Sequence, residues 1–114
     1  MNNLDILEER RMVLELFSEY ETLLTPNQRE VLADYYRFDL SLGEIASSSL
    51  ISRAAVHDTI DKAVKKMKKY EEKLRLVEKK KDMKATVAAI EEVDDPTTKL
   101  ELYQQLAKEL TNGI

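Results

Sequence analysis

The chain has 114 residues, no Cys, no Trp, one His, two Gly and two Pro, a length that suits one domain with a modest core. Two glycines are too few for the positive-φ turns of a hairpin-rich sheet, so an all-α fold is expected, and the missing cysteines exclude a disulfide scaffold and a thiolate zinc site. The formal net charge of −4 divides into −6 over residues 1–52, +6 over 53–84 and −4 over 85–114, so only the middle third carries the basic excess of a nucleic-acid binder.

Val13, Leu16, Phe17, Tyr20, Leu23 and Leu24 recur every three or four residues and predict a first helix from about Leu4 to Leu24. Thr25-Pro26-Asn27-Gln28 opens a second, with Thr25 as N-cap, Pro26 at the first helical position and Gln28 completing a capping box. Val31, Leu32 and Tyr35 form its inner face, and it ends near Phe38-Asp39. Ser41 and Glu44 make a second capping box, and Leu40 with Ile45 a hydrophobic staple, for a two-turn helix that turns Leu42, Ile45 and Ala46 inward. The run Ser47-Ser48-Ser49 weakens that helix, because serine hydroxyls compete for backbone hydrogen bonds.

Ser52 caps the next helix, with Ile51 and Val56 placed as its staple. Val56, Ile60, Ala63, Met67, Tyr70, Leu74 and Val77 then alternate four and three apart, a packing seam of three heptads that Lys81 ends. Val87 and Ile90 predict a further short helix, stopped by Asp94-Asp95-Pro96. Asp95 caps a last helix, striped by Leu100, Tyr103, Leu106, Ala107 and Leu110 and closed by Asn112-Gly113. The domain reading is a helix-turn-helix domain without a wing over residues 1–80 and a C-terminal helical extension over 81–114.

No apolar run approaches the ~20 residues that cross a bilayer, and no basic-then-apolar leader opens the chain, so a cytoplasmic location and no membrane partner are expected. One His leaves no Ser/His/Asp arrangement and no metal cluster, and Gly43 and Gly113 stand alone rather than in a phosphate loop. A non-enzyme without cofactors is expected.

The informative pattern is Leu42…Ile45-Ala46…Ile51-Ser52-Arg53…Val56…Ile60, which matches a helix-turn-helix. The small Ala46 lets two helices approach, and the N-terminus of the second can meet a phosphate or a base edge. An ordinary helical hairpin is the other reading of the same spacing. Leu24-Thr25-Pro26-Asn27-Gln28-Arg29-Glu30-Val31-Leu32, Ser41-Leu42-Gly43-Glu44-Ile45-Ala46 and Ile51-Ser52-Arg53-Ala54-Ala55-Val56 together resemble region four of the bacterial sigma factors. With Ser52 to Asp58 and Tyr70-Glu71-Glu72-Lys73-Leu74, the chain is similar over about residues 7–76 to the YlxM-type family of small helix-turn-helix proteins. The resemblance implies a sigma region-four-like three-helix core with a long recognition helix, binding to DNA, and a regulatory role in the signal recognition particle pathway. The chain departs from the family at Leu50, where such turns usually hold Gly, and at His57, where the family often has Tyr. A leucine there would cost roughly 1–2 kcal/mol in a left-handed conformation, so a looser or differently shaped turn is expected.

The candidate nucleic-acid-binding residues are Ser52, Arg53, Ala54, His57, Lys62, Lys65, Lys66 and Lys69. Arg53 suits a phosphate or a guanine, or else a surface salt bridge. His57 suits a donor contact or an unremarkable surface position, and the lysines either a phosphate-tracking ridge or a solvated face. Asp58 and Asp61 are unfavourable beside phosphates. DNA, with RNA as its alternative, is the expected partner, read by a homodimer formed through the projecting stretch Met67 to Val77. The competing expectation is a protein-interaction module that contacts a component of the signal recognition particle pathway without binding DNA.

Overall fold

The computed structural model describes residues 2–112, and its regular elements are all helical. Helix α1 spans Asn3–Tyr20 and is capped by the Asn2 side chain, which accepts from the Asp5 amide. A 3-10 turn, Glu21–Leu23, leads to α2, Pro26–Leu32, whose Thr25/Gln28 capping box is formed in both directions. Helix α3, Leu42–Ser49, starts with the Ser41/Glu44 capping box, and α4, Arg53–Leu74, with the Ser52 hydroxyl accepting from the Ala55 amide. Helices α5, Leu76–Glu91, and α6, Pro96–Asn112, follow. The Asp95 carboxylate caps α6 by accepting from the Thr98 amide and hydroxyl. Gly113, expected to close α6, lies outside the described residues.

The chain clusters into two compact units, residues 1–77 and 78–114. In the first, α1, α2 and α3 each pack on α4. Phe17, Tyr20, Leu32, Ile45, Val56 and Met67 are fully buried there, with Val13, Leu16, Leu24, Val31, Ile60 and Ala63 around them. The apolar stripe on α1 and the seam on α4 therefore face each other. The second unit is an antiparallel helical hairpin of α5 and α6, in which Thr86, Ala89 and Ile90 face Leu102, Leu106 and Glu109 across an open groove. Ile90 is the one buried residue of that unit among those described.

Several sequence expectations need correction. Leu23 does not join the α1 stripe: the helix tightens to a 3-10 turn after Tyr20, and Leu23 is left exposed while Leu24 is buried. The second helix does not run on regularly but widens into a π-helix over Ala33–Arg37. Arg10 of α1 holds that widened turn, donating to the carbonyls of Tyr35 (3.0 Å) and Tyr36 (2.9 Å) and pairing with Asp39. Tyr35 and Tyr36 lie in the last turn, where helix carbonyls lack intrahelical partners, and the guanidinium satisfies both. The serine run is the last turn of α3, which keeps its expected two turns, and the Ser48 hydroxyl donates back to the Ile45 carbonyl, the competing bond expected of serine.

The seam on α4 also stops earlier than expected. Arg75 takes a left-handed conformation, so the helix breaks six residues before Lys81 and α5 begins as a helix of its own. The break is held from α1. The Tyr20 hydroxyl donates to Glu71 and accepts from the Leu76 amide at 3.2 Å, and Glu71 accepts from the Val77 amide at 3.0 Å. The two amides freed at the start of α5 are thus both satisfied. Nor does the stretch Met67 to Val77 project from the core: Met67 is fully buried, Tyr70 packs on Tyr20 and Val77 is half-covered. The face on which the homodimer expectation rested is used inside one chain.

Candidate nucleic-acid interface

The connection between α3 and α4 is a tight corner made without glycine. Leu50 adopts φ 57° and ψ 38°, and the Ile51 amide donates to the Ala46 carbonyl at 3.1 Å. That is the six-to-one bond of a Schellman motif, which satisfies a carbonyl at the end of α3. The looser or differently shaped turn expected from Leu50 does not occur; the leucine accepts the left-handed conformation, with 92% of its surface exposed. Ile51 is the weak half of its staple and stays exposed, whereas Val56 is fully buried. Val56 and Ile60 are buried in the same core as Ile45 and Ala46 and anchor the first turns of α4, while Ser52 to Ala55 at its N-terminus stay exposed.

Ser52, Arg53, Ala54 and His57 are all exposed there. The Ser52 hydroxyl is committed to its cap. Arg53 leans back over the first turn of α3, where a Cβ built on Gly43 would come within 2.6 Å of Nη2 and 3.0 Å of Nε. Gly43 is therefore the seat of the guanidinium, and any larger residue must push it aside. Arg53 also lines an open groove of ≈ 870 Å³ with Ser41, Gly43, Glu44, Ser47, Ser48 and Ile51. It is the only cation of that lining. Glu44 is the only anion, and its carboxylate is turned into the capping box, whose hydrogen bond from the Ser41 backbone amide holds it below its ordinary pKa.

The lysines of α4 do not form one ridge. At 100° per residue, Ala54, Lys62, Lys65 and Lys69 share the face turned away from the core, Arg53 and His57 lie toward one flank, and Lys66 lies on the other. Lys62 pairs with Asp58 and Lys65 with Asp61, each at 2.9 Å and four residues apart with the acid first, the favourable order. The Lys65 ammonium, by its hydrogen bond, lowers the Asp61 pKa, and Asp61 in turn raises that of Lys65. Lys68 reaches Glu9 of α1 at 3.7 Å. Among the described residues Lys66 and Lys69 form no ion pair. From Arg53 to Lys69 the axial rise is about 24 Å, twice the ~12 Å width of a major groove, so the first turns alone can reach base edges.

Gly43, Ser47 and Ser48 belong to this surface and are not among the candidate binding residues read from the sequence. The signal for Gly43 was a helix-weakening residue in the first turn of α3, where nothing local calls for one.

The family model described as "Putative helix-turn-helix protein, YlxM / p13 like" matches residues 7–110. UPF0122 proteins of Bacillus cereus strain AH187, Bacillus anthracis strain A0248 and Bacillus thuringiensis subsp. konkukian strain 97-27 are each 40% identical over 88 residues, covering 77% of this chain and 80% of the relative. The fold is of a non-enzymatic kind, and no helix among the described residues is long and apolar enough to cross a membrane. The corner at Leu50, the capped α3 and α4 and the match over nearly the whole chain agree, and the chain belongs to the UPF0122 family of YlxM/p13-like helix-turn-helix proteins.

Proposed function

We propose that the chain is a nucleic-acid-binding regulator that presents the first turns of α4 to a groove of DNA, with RNA as the alternative target. The 1–80 region carries this activity and the 81–114 region is an extension to it. The observation that carries the reading is Arg53: an exposed guanidinium with no carboxylate partner among the described residues, seated on Gly43 beside an open groove at the N-terminus of α4. A helix N-terminus and an unpaired arginine together favour phosphate or guanine. His57 and Ala54 flank it, and Lys66 and Lys69 are available to phosphates farther along. Lys62 and Lys65 contribute less, because each already holds an aspartate. The resemblance to YlxM-type proteins extends the proposal to a regulatory role in the signal recognition particle pathway, in the cytoplasm.

A second reading has its own observation. The ion pairs Lys62–Asp58 and Lys65–Asp61 blunt the basic face, and residues 1–52 are acidic, which suits a basic protein surface, such as a signal recognition particle component, better than a polyanion. Selection of bound DNA and RNA fragments at two salt concentrations separates the two. On the first reading a motif is enriched and affinity falls steeply with salt, and Arg53→Ala weakens binding by about 1–3 kcal/mol. No enrichment, or binding indifferent to Arg53→Ala, decides for the second.

A further inference from the structure

The hairpin of α5 and α6 does not bury its own apolar surface. Leu100 and Leu110 of α6 are exposed, Tyr103 and Leu106 are half-covered, and none of the described residues of α6 is buried. Leu100, Tyr103, Ala107 and Leu110 recur three and four residues apart, a stripe along one side of α6. An open groove of ≈ 380 Å³ between Thr86, Ala89 and Ile90 on α5 and Leu102, Leu106 and Glu109 on α6 adds apolar lining next to it. A unit under about 40 residues without disulfide or metal rarely holds together on its own surface burial, and association is the usual remedy.

The charges say what covers it. Residues 78–84, at the open end of the hairpin, carry Lys79, Lys80, Lys81 and Lys84 against Glu78 and Asp82. The loop end carries Glu91, Glu92, Asp94 and Asp95, and Lys99 there is drawn to the Glu91 carbonyl at 3.0 Å. The centres of the two clusters, near residues 81 and 93, lie about 18 Å apart along the helix, well over the ~8 Å Debye length at physiological salt. Within one hairpin the clusters therefore cannot neutralise each other. In an antiparallel pair of identical hairpins each basic end lies beside the partner's acidic end, while the two apolar stripes meet. This is a self-complementary, two-fold arrangement. The geometry points to a second copy of this chain as the occupant: α5 and α6 dimerise through their exposed face, antiparallel, as a four-helix bundle. This inference does not depend on the nucleic-acid reading.

Sedimentation equilibrium of the full chain tests it. The expected mass is twice the 13.2 kDa of one chain. Leu100→Glu with Leu110→Glu places two carboxylates in the apolar contact and is expected to raise the dissociation constant about 100-fold or more. Both positions are already exposed, so helical content by circular dichroism should hold. Lys84→Glu weakens the dimer, and adding Glu92→Lys to it restores association, since opposite charges again face each other. A monomer at the highest concentration the wild type tolerates, or a double-leucine variant as dimeric as the wild type, overturns the proposal. Failure of the Lys84/Glu92 exchange to restore association overturns the antiparallel arrangement.

Discussion

Leu50 spends conformational energy where a glycine would spend little. Its left-handed backbone costs about 1–2 kcal/mol for an L-residue with a Cβ, and a side chain 92% exposed returns no burial. Leu50→Gly removes that strain but adds roughly 0.5–1 kcal/mol of unfolded-chain entropy. The expected net is a stabilisation of up to about 1 kcal/mol, read as a higher urea midpoint at unchanged slope. A lower midpoint would mean that the leucine side chain is held by something else. Gly43→Ala separates stability from function on the same surface. Alanine is the better helix former by up to about 1 kcal/mol, yet its Cβ takes the space of the Arg53 guanidinium. Stability is expected to hold or rise while nucleic-acid affinity falls. Asp58→Asn releases Lys62 and removes an anion from the exposed face, so affinity should rise and the salt slope steepen by about one.

Capping makes the helices sensitive to acid. Glu44 is held below its ordinary pKa by the Ser41 backbone and hydroxyl, Asp95 by Thr98, and Asp61 by Lys65. A carboxyl whose folded-state pKa is depressed contributes stability that is complete above its unfolded pKa and is lost as pH falls through the folded value. All three shifts have this sign, so stability should be flat near neutrality and fall below the ordinary carboxylate range of about 4. Unfolding free energy measured against pH checks it; Glu44→Gln should make the acid limb shallower. The break between α4 and α5 has a different support. Tyr20→Phe deletes the hydroxyl that meets both Glu71 and the Leu76 amide, two part-buried hydrogen bonds. A loss of about 1–3 kcal/mol is expected by denaturant unfolding. These elements differ in how legible they were. Thr25-Pro26-x-Gln28, Ser41-x-x-Glu44, Ser52 and Asp95-Pro96 announce their helices because a cap is a contact within four residues. The π-helix at Ala33–Arg37 and the break at Arg75 were not legible, since each is held by a side chain of α1, Arg10 or Tyr20, far away in sequence.

For the whole molecule, the same division governs function. Local pattern was enough to place the corner between α3 and α4 and to put Arg53 at the head of α4, because apolar spacing and N-caps act over one or two turns. It determined the all-helical class for a related reason: two glycines and strong caps leave few other backbones open. Packing decided the rest. The distal half of the seam, Met67 to Val77, reads along the chain as a dimer interface or as an internal contact, since an apolar stripe carries no record of what covers it. Only the fold shows α1 lying on that seam, and the stripe on α6 left bare. Likewise the lysines of α4 look alike along the chain. Their surroundings set them apart, Asp58 and Asp61 neutralising two of them and Glu9 drawing a third toward α1, because Coulomb attraction acts through space and not along the sequence.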